Sequence, residues 1–187
     1  MSRFISKRYK DITPYIPGEQ PKDRLYIKLN ANETSCEPAP GVRRVLESSR
    51  MRNLGRYTEP TALEMRRLAA TLCGVRPEEV LAGNGSDEIL GWIFQTFFMD
   101  ASVCYPDITY GFYESLAVGL GIEHHEVPLK DDFTLDVEAL CHEKSNIVIA
   151  NPNAPTGHMV PVEDIERIVA AAVQPEVVPV AVVRPCV

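Results

Sequence analysis

The chain has 187 residues, 45% hydrophobic and 24% charged, with 26 acids against 19 bases and a net charge of −7. This length holds one medium domain or a piece of a larger fold. The acidic balance excludes a dominant nucleic-acid or anionic-membrane surface but leaves room for a local phosphate pocket. The five cysteines (Cys36, Cys73, Cys104, Cys141 and Cys186) include no C-x-x-C pair. They read as reduced thiols of a cytoplasmic protein, forming neither a disulfide frame nor a zinc site. The opening MSRFISKRYKD lacks the apolar core of a signal peptide, and no run of about 18 apolar residues predicts a membrane span.

Residues 1–26 are polar and turn-rich and read as an N-terminal arm. Ile27 to Leu29 is a short strand candidate. Gly41 to Ser49 is a short helix candidate, with Val42, Val45 and Leu46 at helical spacing. Thr61-x-x-Glu64 has the form of a capping box. It opens a helix with Leu63, Met65, Leu68, Ala69 and Leu72 on its apolar side, closed by Gly74. Glu78 and Glu79 read as a solvated charge pair. Val80 to Ala82 is a predicted strand. Asp87 to Phe98 is a helix apolar nearly all round, which predicts burial.

Strands and helices then alternate. Ser102 to Tyr105, Ile122 to Val127 and Asn146 to Ala150 are strands; Tyr110 to Leu120, Leu135 to His142 and Val162 to Ala172 are helices. This order predicts an α/β fold with a mostly parallel sheet over 27–172. The remaining residues, 173–187, are rich in Ala, Val and Pro. Pro175, Pro179 and Pro185 cannot donate ladder hydrogen bonds, so this stretch reads as a divergent tail.

Three loops carry the chemistry. Gly83-Asn84-Gly85-Ser86-Asp87-Glu88 lies between the predicted strand and the apolar helix. A helix N-terminus presents unpaired amides and a positive dipole end, so Gly85, Ser86 and Asp87 form a candidate phosphate cradle. The loop lacks a P-loop lysine and is not G-x-G-x-x-G, which argues against a nucleotide. A plain capped turn with Ser86 or Asp87 as N-cap is the alternative. Asn151-Pro152-Asn153-Ala154-Pro155-Thr156-Gly157 follows a strand, where open α/β sheets bind ligands. Pro106 to Tyr113, PDITYGFY, also follows a strand. There Tyr110 either lies flat on an aromatic ligand or belongs to a core aromatic cluster. Together the loops suit pyridoxal phosphate (PLP), a flat ring with one phosphate.

The segments PYIPGEQ, IKLNANE, Arg56-Tyr57, GNGSDE, TYGFY and NPNAPTG occur in an order and spacing that resembles the N-terminal half of fold-type I, class I/II PLP aminotransferases. Within that superfamily the chain is most similar to the histidinol-phosphate aminotransferase family. The resemblance covers roughly residues 9 to 170 and implies an incomplete large domain. It implies transamination of histidinol phosphate with 2-oxoglutarate in histidine biosynthesis, in a cytoplasmic homodimer. It assigns the cofactor phosphate to Gly85, Ser86 and Asp87 and ring stacking to Tyr110. Tyr57 corresponds to a tyrosine that reaches the neighbouring subunit's cofactor phosphate, and Asn32 and Glu33 border the substrate pocket. The family's asparagine before Pro-Thr-Gly bonds the cofactor's ring oxygen. Ala154 stands there in this chain, which leaves Asn153 as the candidate donor.

In the family the lysine that links the cofactor lies beyond NPNAPTG. The six lysines here (Lys7, Lys10, Lys22, Lys28, Lys130 and Lys144) all precede it. The aspartate facing the ring nitrogen has no counterpart in Val177 to Cys186. The expectation is therefore a truncated or frame-shifted chain, inactive alone, that binds PLP noncovalently at most. The alternatives are another class I/II aminotransferase lineage, acting on aromatic or other amino acids, or a non-catalytic phosphate binder. No metal site is expected: His124 and His125 are strand neighbours on opposite faces, and His142 and His158 have no partner pattern.

Overall fold

The computed structural model describes residues 3–10, 12, 23–24, 26–27, 36–48, 52, 55–172 and 181–183. Most of the expected arm, the end of the Ile27–Leu29 strand, and Asn32 and Glu33 lie outside the described residues. The chain divides into two compact units, one over Gly18–Asn84 with Val187 and one over Met1–Pro17 with Gly85–Cys186.

In the first of these, α1 spans Pro40–Leu46, with Pro40 pre-set for the first helical position. α2 spans Leu63–Cys73 and ends at Gly74, whose φ of 69° is the left-handed cap that glycine adopts without penalty. Its start departs from the predicted capping box. Glu59 accepts from the Leu63 amide (2.7 Å) and from the Thr61 amide and hydroxyl (3.1 and 2.7 Å). A carboxylate outside the helix thus does the work assigned to Thr61 and Glu64. The apolar side of α2 is also not buried: Met65, Leu68 and Leu72 are exposed, and only Ala70 is enclosed.

Val80 is extended, yet Val80 to Ala82 form no strand, because no ladder partner reaches them among the described residues. Arg66 instead fixes this stretch, donating to the Pro77 and Val80 carbonyls (2.7 and 2.8 Å). Glu79 is not simply solvated. It accepts from the Arg76 amide (2.8 Å) and pairs with its guanidinium, closing the 3₁₀ turn Pro77–Glu79.

The second unit is the α/β part. Its elements are α3 (Ser86–Phe97), β1 (Val103–Pro106), α4 (Phe112–Leu120), β2 (His124–Val127), α5 (Val137–Cys141), β3 (Asn146–Ala150), α6 (Val162–Ala172) and β4 (Ala181–Val183). The sheet runs β2-β1-β3-β4, and every pairing is parallel. β4, in the Ala/Val/Pro-rich stretch, pairs Ala181 with Val148 and Val183 with Ala150. Residues 173–180 and 184–187 lie outside the described residues.

Alternation along β1 and β3 sorts the core into two layers. Val103, Tyr105 and Val148 face α3 and α4, packing with Leu90, Phe94, Phe98 and Tyr113. Cys104, Ile147 and Ile149 face α5 and α6, packing with Leu140 and Ile168. β1 and β3 are buried along their whole length, as parallel strands with continuous apolar runs require, whereas His125 and Glu126 of β2 are exposed. α3 is buried on one side only: Leu90 and Phe94 are enclosed while Trp92 and Phe97 remain exposed, contrary to the all-round burial its composition predicts. Two core hydroxyls, on Tyr105 and Tyr113, have no hydrogen-bond partner, and burial raises both phenols' pKa. No helix among the described residues is long and apolar enough to cross a membrane.

Candidate functional site

The strand order places a topological switch point between β1 and β3: the chain leaves β1 toward β2 and later returns to the other side of β1. Loops leaving the C-terminal ends of strands diverge at such a point and open a crevice where open α/β sheets bind ligands. The loop after β1 holds Asp107 to Gly111, and the loop after β3 holds Asn151 to Pro161.

These loops are tied by side chains. Asn153 is buried and makes three bonds. Its amide donates to the Ile108 carbonyl (2.8 Å) and the Thr156 hydroxyl (3.0 Å), and its oxygen accepts from the Thr109 hydroxyl (2.7 Å). Asn151, also buried, clamps the far side of the same loop. It donates to the Val160 carbonyl (3.0 Å) and accepts from the Val160 amide (2.9 Å). Asp107 holds the first loop by accepting from the Ile108 and Leu129 amides (2.8 and 2.9 Å).

The third contributor is the start of α3. Gly85 is its N-cap, with φ 84° and ψ 175°, a conformation essentially confined to glycine. As a glycine, the N-cap has no side chain to cap the helix itself, and a helix start presents its first-turn amides outward with the positive end of the dipole behind them. The capped-turn alternative, with Ser86 or Asp87 as N-cap, is therefore not the one adopted. Instead, Asp87 accepts a hydrogen bond from the Tyr110 hydroxyl at 2.8 Å. That bond fixes the tyrosine, whose ring also packs edge-on against Tyr113 (centroids 5.7 Å apart, planes at 90°). Tyr110 is half-buried, so it belongs to the aromatic cluster and still presents surface.

Gly85, Ser86, Asp87, Tyr110 and Asn153 are thus joined through one chain of contacts running from the α3 N-terminus through the β1 loop to the β3 loop. Tyr57 belongs to the other unit and is fully exposed. Sequence reasoning passed over Thr109, Asp107, Thr156 and Asn151, which hold the loops in place. An Asp or Asn just past a strand, with Thr two or three positions on, is the local signal that finds them, because these side chains bond nearby backbone.

The family model described as "Aminotransferase class I and II" matches residues 24–181. The chain belongs to the class I and II aminotransferase family. It is 41% identical over 170 residues to a histidinol-phosphate aminotransferase of Brachyspira hyodysenteriae, covering 90% of this chain and 48% of that protein. A histidinol-phosphate aminotransferase of Clostridium acetobutylicum is 41% identical over 169 residues, with the same coverage. Among solved structures, the histidinol-phosphate aminotransferase of Sinorhizobium meliloti in complex with pyridoxal-5'-phosphate superposes with a TM-score of 0.72 at 25% identity. That match covers 81% of this chain and 42% of that one. An aromatic aminotransferase of Pyrococcus horikoshii shares the fold (TM-score 0.70, 21% identity, 82% of this chain and 44% of that one). The chain spans about half the length of the curated relatives it matches. Its α/β unit is a partial fold-type I aminotransferase domain.

Proposed function

We propose that the chain forms the cofactor-phosphate half of a PLP-dependent aminotransferase that uses histidinol phosphate as amino donor and 2-oxoglutarate as acceptor. The substrate reading rests on the 41% identity to histidinol-phosphate aminotransferases across 90% of the chain. The site reading rests on one observation: a glycine-started helix N-terminus bonded through Asp87 to Tyr110 at the switch point of a parallel sheet.

PLP, when bound, supplies the electron sink that transamination needs. The residues present fit its phosphate and one face of its ring. The amides of Gly85, Ser86 and Asp87 and the Ser86 hydroxyl hold the phosphate, aided by the α3 dipole. Tyr110 offers its ring as a platform, oriented by the bond to Asp87. The ring oxygen is less well served. Ala154 has no donor, and both amide hydrogens of Asn153 are committed to Ile108 and Thr156. Asn153 therefore gives a hydrogen to a ligand only by releasing one of those partners, and we assign it to positioning the loop. Tyr57 extends to a second subunit's phosphate in a homodimer, and Asn32 and Glu33 border the substrate. The lysines of this sequence all lie at or before position 144 and none stands in the loops that hold the phosphate and ring, so these loops bind PLP noncovalently. The compartment consistent with this role is the cytoplasm.

A thermal melt of the purified chain with and without excess PLP tests the reading. A ligand that binds only the folded state raises stability by RT ln(1 + [L]/Kd). We expect an upward shift with PLP and none with equal ATP. Ser86→Pro removes one cradle amide while proline still fits the first helical position, so it and Tyr110→Ala should each diminish the shift. A melt indifferent to PLP, or a shift that both variants retain in full, refutes the site.

A further inference from the structure

The parallel register of β1 and β2 sets Cys104 directly opposite His125. Neighbours in a ladder project to the same face of the sheet, and Val127, two residues beyond His125, packs in the same cluster as Cys104. Glu143, just past α5, comes up beside them, and His125 Nε2 lies 3.0 Å from Glu143 Oε2. The Cys104 sulfur, a His125 ring nitrogen and a Glu143 carboxylate oxygen all lie within 4.8 Å of one another. His124, by contrast, belongs to the other face, stacked on Tyr105. The two adjacent histidines thus cannot share an ion, but one of them meets a thiol and a carboxylate drawn from elsewhere in the chain.

We propose that Cys104, His125 and Glu143 form a binding site for a zinc-class divalent cation, with water as the fourth ligand. Thiolate, imidazole and carboxylate are the donors such an ion takes, at about 2.3, 2.0 and 2.1 Å, in a tetrahedron whose edges are about 3.3–3.7 Å. The existing separations close to those edges through side-chain torsions of His125 and Glu143. Both side chains reach solvent, His125 at 46% exposure and Glu143 at 23%. Cys104, fully buried, is the fixed anchor. Solvent at the exposed pair supplies the remaining ligand. On binding, the thiol gives its proton to solvent as the Sγ–metal bond forms. The His125–Glu143 hydrogen bond is replaced by one metal bond from each partner, with no change in oxidation state. Cys104 and His125 stand in the N-terminal halves of their strands, whereas the loops of the cofactor site leave the C-terminal ends. The ion therefore acts as a staple joining edge strand β2 and the α5–β3 connection to β1, and takes no part in the cofactor site.

Cobalt(II) titration of the metal-stripped, reduced full chain tests this directly. The expected result is one equivalent bound with a sulfur-to-cobalt charge-transfer band, displaced by zinc and accompanied by a higher Tm. Cys104→Ala should remove the band. His125→Gln, at an exposed position, and Glu143→Gln, an isosteric change at a half-buried one, should each weaken binding by about tenfold or more. Absence of the band in the parent chain overturns the proposal. So does a band that survives in Cys104→Ala, which would report one of the other four cysteines, or an affinity within about twofold of the parent in either the His125 or the Glu143 variant.

Discussion

Asn153→Ala should destabilise the α/β unit by about 2–3 kcal/mol, because the side chain makes three hydrogen bonds at a buried position. A net intramolecular hydrogen bond contributes about 0.5–1.5 kcal/mol. The three abandoned partners are the Ile108 carbonyl and the Thr109 and Thr156 hydroxyls, none of them fully buried. Water can therefore reach them, which keeps the total near the middle of the summed range. Thr109→Val removes only the 2.7 Å bond and should cost about 1 kcal/mol. Because the two residues share that bond, the double variant should cost about 1 kcal/mol less than the sum of the singles. Urea unfolding followed by the fluorescence of Trp92, the sole tryptophan, and by circular dichroism measures all three, provided the two signals coincide. A cost below about 0.5 kcal/mol for Asn153→Ala, or strict additivity in the cycle, would refute the claim that this side chain locks the two loops together.

Gly85→Ala should lower stability by about 1–3 kcal/mol although nothing lies within 4 Å of the added methyl, because the cost is backbone strain at φ 84°, ψ 175°; a neutral result in the same urea assay would count against that conformation. Glu59 has its pKa lowered, first by the Leu63 amide and then by the Thr61 hydroxyl. A depressed folded-state value means its stabilisation of the α2 start is present above the ordinary glutamate range and lost as pH falls through the folded value. Protection of the first-turn amides of α2, taken against the unstructured exchange rate at the same pH, should accordingly fall at acid pH, and in Glu59→Gln that loss of protection should disappear. The Cys104 thiol is pushed up to about 12 by burial and then by the Glu143 carboxylate. Iodoacetamide at mildly alkaline pH should label the exposed Cys36 and Cys73 and spare Cys104 until denaturant is added; early labelling at Cys104 by peptide mapping would contradict its burial.

Much of the fold was readable because the signals were local and strong. Asn146 to Ala150 carries the unbroken apolar run Ile147 to Ala150, and it forms a strand with those bounds. Val162 to Ala172 has its apolar residues at helical spacing, and it forms a helix with those bounds. The failures share one cause. Val80 to Ala82 has strand composition, but a strand exists only where a partner does, and pairing is not written in three residues. The apolar residues of α2 and α3 likewise promised burial. Composition fixes which residues benefit from being covered, whereas coverage depends on which elements arrive, and Leu72 and Phe97 meet none among the described residues. The Cys104–His125–Glu143 cluster was unreadable for a related reason, since Cys104 and His125 meet through strand register and Glu143 joins them from the α5–β3 connection.

The β3 loop shows the boundary between a motif and its chemistry. In the proposed site NPNAPTG is the ligand-facing loop, and two adjacent positions compete there for the role of donor to the cofactor ring. Asn153 is saturated by Ile108, Thr156 and Thr109, so the missing donor belongs to position 154, which is half-buried and carries only a methyl group. Ala154→Asn should then add a hydrogen bond to bound PLP that the parent chain lacks. One such bond, at about 1 kcal/mol, tightens binding roughly fivefold. The PLP-dependent rise in Tm should increase accordingly, with little change in the melt of the ligand-free protein. If Asn153 instead turns toward the cofactor, Ala154→Asn gains nothing, and the cost appears as a loosened Thr109 contact only when PLP is bound. An Ala154→Asn variant that binds PLP no more tightly than the parent would therefore move the donor back to Asn153 and show that the loop rearranges to meet its ligand.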